Sequence, residues 1–388
     1  MPQPGTTSID IEREKKLKKE LNAVCAALSI LGLAFSSWAS RVPDVRDLAI
    51  LTAATLGYAL LFRGAGTIVM MPIVASGINR FGATKVVLWS GLMVAFTLVP
   101  IAMMNNWIAL GLLLMLIGAV SSAFNISVNA LGAKVEMESG TSHMGKIHSW
   151  FGFGNLGGAL IGTLMARLDV SVVTHFMGVS ILMLVILGMI YRHLPEDAPH
   201  PDAEKPKYSL PRGGLIALGI ICFLGACIEG SINNWVGLFF TDHLNVSHEF
   251  APIGYTSFAG ALLLMRILGD RLKNRFGPKR LLVVGSLSGA VGIVIALYAP
   301  NMAVGAIGVF LAGAGASLNF PMVFSAAGRE GAIALTSVAT LGYVGGMVSQ
   351  PLVGLIVEQF ELFGGFLFIA ICMVMTAYVA FRSNLLKG

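Results

Sequence analysis

Two stretches of this chain run for 48 residues each without Asp, Glu, Lys or Arg, 86–133 and 281–328, and they start 195 residues apart in a chain of 388. Crossing a hydrocarbon layer about 30 Å thick takes roughly 20 apolar helical residues. Each run is therefore too long for one crossing and suits two joined by a tight turn. Asn105–Asn106 supplies that turn in the first run, and Pro300–Asn301 in the second. Shorter uncharged runs at 21–40, 147–166, 170–191, 331–357 and 362–381 suit one crossing each. Three further apolar stretches carry charge: 52–78 holds Arg63, 214–240 holds Glu229, and 251–272 holds Arg266 and Asp270. The total is twelve spans, numbered here in chain order.

Composition narrows the classes that such a chain can join. Only 12% of its residues are charged, against about 25% in a soluble domain. That excludes a disordered chain and argues against a soluble enzyme. Lys15, Lys16, Lys18 and Lys19 ahead of an apolar stretch imitate a secretory signal, but the stretch exceeds a signal core and many spans follow. It is read as span 1. Cys25, Cys222, Cys227 and Cys372 lie in apolar runs as small hydrophobes. No phosphate-binding Gly-x-x-x-x-Gly-Lys-Ser/Thr loop is found, so neither ATP nor another cofactor is expected. Asp242, His243, His248 and Glu249 share a loop at spacings unlike a metal cage and read as solvated charges, so no metal site is expected. The net charge of +6 is better explained by the membrane than by nucleic acid. Of 26 Lys and Arg, 21 fall on the side of the termini, 3 on the opposite side and 2 within spans. The positive-inside rule then predicts cytoplasmic termini in a multi-pass protein of the bacterial inner membrane.

The chain is also a duplication. Asn-Arg-Phe-Gly precedes both uncharged runs, at Asn79–Gly82 and Asn274–Gly277, again 195 apart. Gly57–Tyr58 and Gly254–Tyr255 are offset by 197, as are Trp38 and Trp235, while Asn125 and Asn319 are offset by 194. Five features in one register point to two copies of six spans. An even number of spans gives both copies the same orientation. The predicted organisation is a polar cytoplasmic tail 1–20, a six-helix bundle 21–193, a proline-rich cytoplasmic linker 194–212, a second bundle 213–382, and a tail 383–388. The fold class is all-α: two parallel six-helix bundles in the membrane.

Twelve helices in two parallel halves, each with a basic turn after its second helix, resemble the major facilitator superfamily over about residues 20–385. That family carries Gly-x-x-x-Asp-Arg-x-Gly followed by basic residues in this turn. Here Ala75 stands for the first Gly, and Asn79 before Arg80 for the Asp. In the second copy, Asn274 before Arg275 likewise replaces Asp. The resemblance assigns a gating role to Asn79, Arg80, Asn274 and Arg275, with an Arg266–Asp270 pair at i and i+4 partly replacing the altered relay. A narrower resemblance, to a poorly characterised branch of bacterial inner-membrane transporters, lies in SSWASRVPDVRD (36–47), NISVNALGAKVE (125–136) and GKIHSWFGFGNLGG (145–158). Asn125 departs from it, since that branch usually has Asp there.

An ionisable group inside a membrane is expensive and marks function or a fixed ion pair. Glu229 lies midway along span 7 and is the candidate for proton coupling or substrate binding; the rival reading is a counter-ion to Arg63. Arg63, midway along span 2, suits either an anionic substrate group or that pair. The narrower resemblance adds His148 and Glu136 as a proton relay, against a cytoplasmic gate or interhelix bond. Spans 1, 4, 7 and 10 line the cavity in the superfamily. This implies substrate contact for Asn125, Asn129 and Asn319; Asn233 and Asn234 beside Glu229 are further candidates, as are Trp38 and Trp235, which either stack on a substrate ring or serve as interfacial belt or gate residues. Arg41 and Asp44, just after span 1, are candidate gate residues. The function expected is a monomeric secondary transporter of a small solute, coupled to protons by symport, with uptake preferred to efflux. Its rivals are a proton-coupled drug or metabolite exporter and a non-transporting receptor or scaffold.

Overall fold

A computed structural model describes residues 8–141, 143–198 and 210–386, the side chains of 8–11, Asp270 and Ala332 excepted. Among them the chain is helix and connecting turn, without strands. Span 1 is Ser8–Ser40, span 2 Ala53–Phe81, and span 3 Ala83–Leu98, prolonged by the tight turn Val99–Met103. Span 4 is Trp107–Ser139, span 5 Met144–Arg167 and span 6 Val172–Ile190. In the second half, span 7 is Leu215–Leu238, carried on by a wide turn Phe239–His243. Span 8 is Pro252–Phe276 and span 9 Pro278–Leu297. Span 10 comes in two pieces, Met302–Ala316 and Asn319–Arg329. Spans 11 and 12 make up Ala332–Arg382, which breaks at Phe360–Glu361.

Ten of the described helices are long and apolar enough to cross a membrane, counting Ile333–Arg382 once. Splitting that helix at its break, and adding the glycine-rich Met144–Arg167, gives twelve. Two local features differ from the sequence reading. The polar lead-in is helical from Ser8 and runs unbroken through position 20 into span 1. Span 10 hands over from one helix to the next at Ser317–Leu318.

The duplication is visible in backbone detail. Asn106 caps span 4 by accepting from the Ala109 N–H, and Asn301 caps span 10 from Val304. Both Asn-Arg-Phe-Gly turns end on a glycine with positive φ, 83° at Gly82 and 75° at Gly277, where a side chain would be strained. In both turns the arginine stacks on the neighbouring ring, Arg80 on Phe81 and Arg275 on Phe276, each at 5.2 Å. Ile50 and Asn245 share φ 52°, and Asp169 and Glu361 have φ 52° and 57°. Packing repeats too: span 1 lies on 5 as 7 lies on 11, and 2 on 4 as 8 on 10. The halves meet along two images of one contact, span 2 with 11 and span 5 with 8.

One buried apolar core joins the whole first half to the part of the second half remote from the termini. A separate core, including Leu218, Leu282, Val323 and Ala380, belongs to the second half near the termini. The halves are thus fused at the end opposite the termini and part at the end that holds them.

Candidate functional site

Between the halves lies a cavity of about 440 Å³, walled by spans 1, 2, 7, 10 and 11. Its polar lining is Arg63, Thr67, Glu229, Asn233, Asn234, Tyr343 and Gln350, and its apolar walls include Phe35, Phe320 and Phe324. Of the residues expected at a substrate site, Arg63, Glu229, Asn233 and Asn234 are here together.

Glu229 does not pair with Arg63. Its partner is Arg266 of span 8, with Nη2 3.4 Å from Oε1. The Asp270 side chain, the partner expected for Arg266, lies outside the described residues. The Arg63 guanidinium sits 4.7 Å from the centre of the Phe35 ring and makes no ion pair among the described residues. Tyr255 lies within electrostatic reach of Arg63, Glu229 and Arg266, and its hydroxyl donates to Asn155 Oδ1 across the halves at 2.7 Å.

The other amides and indoles divide. Trp38 is buried away from the main cavity, and its Nε1–H donates to Asn234 Oδ1 at 2.9 Å, tying span 1 to span 7. Asn234 Nδ2 in turn donates to Gln350 Oε1 at 3.3 Å and to the Gly230 carbonyl at 2.9 Å. Asn129 Nδ2 donates to the Asn125 carbonyl and side chain at 2.9 and 3.1 Å, an i,i+4 pair on span 4 that is not part of the cavity wall. Asn319 is buried at the start of the second piece of span 10, beside Gly225. Trp235 is buried too, outside the cavity wall.

His148 is exposed at the terminal end of span 5, within electrostatic reach of Arg266. Glu136 is engaged as a cap: its Oε2 accepts the N–H groups of His143 and Met144 at 2.7 and 2.9 Å, fixing the entry to span 5.

At the far end, Arg41 is buried and staples the first half to itself. It bonds to His175 Nδ1 at 3.2 Å, the Val170 carbonyl at 2.8 Å and Asp44 at 3.4 Å. Burial pushes the Asp44 carboxyl above its ordinary range, against the pull of Arg41. The bridge between halves there is Arg46–Asp242, joined by the Ala54 N–H on Glu358 and by Thr163 with Thr256. His175 carries no signal in the sequence, and Arg46 and Asp242 read there as solvated loop charges; only their spacing of 196, close to the repeat offset, hinted that these two face each other.

The terminal end has no such bridges among the described residues. Arg80 and Arg275 face their own neighbouring rings. Each half instead clamps the chain leaving its sixth helix. Thr84 bonds the Pro195 carbonyl and Lys134 pairs with Asp197; Lys279 bonds the Ser383 carbonyl and Arg329 that of Leu385. Thr84 and Lys279, like Lys134 and Arg329, are 195 apart. The site is a central cavity sealed at the far end by bonds between halves and open toward the termini.

A sequence model described as the Major Facilitator Superfamily matches residues 21–331. An uncharacterised MFS-type transporter of Yersinia pestis is 30% identical over 355 residues, 90% of this chain and 92% of its own. Among solved structures, a bacterial homologue of the human lysosomal transporter Spinster superposes with TM-score 0.77 at 13% identity, covering 94% of this chain and 96% of its own. The nucleoside transporter NupG gives 0.76 at 14%, covering 94% and 100%.

Proposed function

Because the chain belongs to the major facilitator superfamily, we propose that this multi-pass membrane protein takes up a small solute across the bacterial inner membrane by proton-coupled symport. Alternating access would rock the two bundles about the central cavity. The observation that carries the reading is the position of Glu229. Its carboxylate stands on the cavity wall, and its ion pair with Arg266 joins spans 7 and 8. A proton on Glu229 removes its charge and loosens that tie, so proton uptake and helix movement share one group.

The distribution of 21 basic residues on the terminal side against 3 on the other supports cytoplasmic termini. The state described above is then the inward-open one. His148, beside the mouth and near Arg266, is the group through which protons would leave.

The test is solute accumulation in proteoliposomes, using a solute found by thermal-shift screening of the purified protein, since a ligand that binds only the folded state stabilises it. An acidic exterior should drive uptake, and Glu229→Gln should abolish the pH-driven part while leaving exchange intact. Full pH-driven accumulation by Glu229→Gln overturns the assignment of coupling to this residue. Extrusion against the same gradient would make the protein an exporter.

A further inference from the structure

We infer that the solute is a singly charged organic anion, with its carboxylate held by Arg63 and its apolar body against Phe35, Phe320 and Phe324. The inference rests on the cavity being the transport site, and it names the class of solute for that site.

Two arginines and one carboxylate stand at mid-depth between the halves: Arg63, Arg266 and Glu229. Arg266 is committed to Glu229 at 3.4 Å. Glu229 is the one carboxylate among the residues lining the cavity, and it is thereby spent. Arg63 faces the cavity with no ion pair among the described residues, stacked on Phe35 at 4.7 Å. The site carries one uncompensated positive charge. A buried charge is costly unless paired, and a guanidinium pairs best with a planar carboxylate through two parallel hydrogen bonds. A cation in the same cavity would meet repulsion, and a neutral solute would leave Arg63 uncompensated.

The remaining lining fixes the rest of the solute. Asn233 lines the cavity while more than nine-tenths buried, and its Oδ1 has no partner among the described residues. That acceptor is covered in this state, and a hydroxyl or amide donor on the solute would satisfy it only by displacing the atoms over it. The aromatic walls cover an apolar or aromatic body, and about 440 Å³ suits a small molecule rather than a polymer. Because Phe35 and Arg63 belong to the first half and Phe320 and Phe324 to the second, such an anion would touch both bundles at once.

The experiment uses the purified full-length protein in detergent and two matched trios: phenylacetate, phenylacetamide and phenethylamine, then hexanoate, hexanamide and hexylamine. Ligand-dependent thermal stabilisation is read for each. The anion of at least one trio should stabilise the wild type more than its neutral and cationic counterparts. Arg63→Gln should weaken that binding by about tenfold or more, with Arg63→Lys in between, as expected for loss of a charge-assisted bidentate pair. The wild-type trios read charge preference without depending on any variant folding. Stabilisation by the amide or amine equal to that by the acid overturns the inference. So does Arg63→Gln binding the acid as well as wild type, or no stabilisation by either acid. Because binding is read without flux, an anion-selective protein that transports nothing would overturn the transport reading alone.

Discussion

The two halves share a backbone but not a chemistry. An offset of 197 relates span 1 to span 7 and span 2 to span 8. At that offset Glu229 corresponds to Gly32, Arg63 to Gly260, and Arg266 to Val69. The first half contributes a lone guanidinium to the cavity, while the second contributes a closed ion pair. Where the second half carries Glu229, the first has a glycine pressed onto span 5: a Cβ on Gly32 would lie 2.6 Å from Asn155 N and also strike the Phe151 carbonyl. Duplication therefore supplied two rigid frames, and divergence at matched positions supplied one site. Neither half holds the cavity's charges alone.

The largest effect should come from restoring a side chain where the first half has none. Gly32→Ala forces backbone apart between spans 1 and 5 and should cost about 1–3 kcal/mol, seen as a lower thermal unfolding midpoint. Gly260→Ala, the matching test at the counterpart of Arg63, meets only Leu156 at 3.9 Å, an ordinary contact. It should leave the midpoint almost unchanged. Equal effects at the two positions would mean that helix contact does not explain the divergence at 32 and 229.

A smaller effect is expected from the bonds that hold the far end shut. Trp38→Phe keeps a six-membered aromatic ring but removes the five-membered ring with its Nε1–H bond to Asn234, a bond worth about 0.5–1.5 kcal/mol. Spin labels at Leu48 and Glu249, on the far-end loops of opposite halves, should then show more of the wide separation. Arg46→Gln removes a more exposed bridge to Asp242 and should shift the distances less, by at most about 1 kcal/mol. Unchanged distances in Trp38→Phe would remove this bond from the seal.

How much of this was legible in the sequence follows from what kind of information each feature needs. Spans, turns and duplication depend on local composition, so the two uncharged runs and the paired Asn-Arg-Phe-Gly turns revealed the architecture. The charged residues of the spans were visible for the same reason, since charge is rare there. Their partners were not. Arg266 is four residues from Asp270 in sequence, yet it reaches Glu229, which is 37 residues away. Arg41 spends its donors on His175 and Val170 within its own half. Arg46 and Asp242 looked like solvated loop charges because nothing local places two loops 196 residues apart face to face. Helix pairing decides such contacts, and pairing has no signature within a single span.

The smallest expected effect tests the symmetry itself. Trp38 bonds Asn234 across the halves, and the 197 offset maps this pair onto Trp235 and Ser37. The image bond is not made: Trp235 Nε1 and Ser37 Oγ are both buried without a partner among the described residues. Replacing a donor that has no partner costs little or stabilises. Trp235→Phe should therefore leave the label distances as in wild type, while the smaller ring at this fully buried site lowers the unfolding midpoint through the cavity it leaves. Ser37→Ala should leave both the distances and the midpoint almost unchanged. If Trp235→Phe shifts the distances as far as Trp38→Phe and in the same direction, the image bond is made and belongs to the seal, because two copies of one orientation put both pairs at the same end of spans 1 and 7.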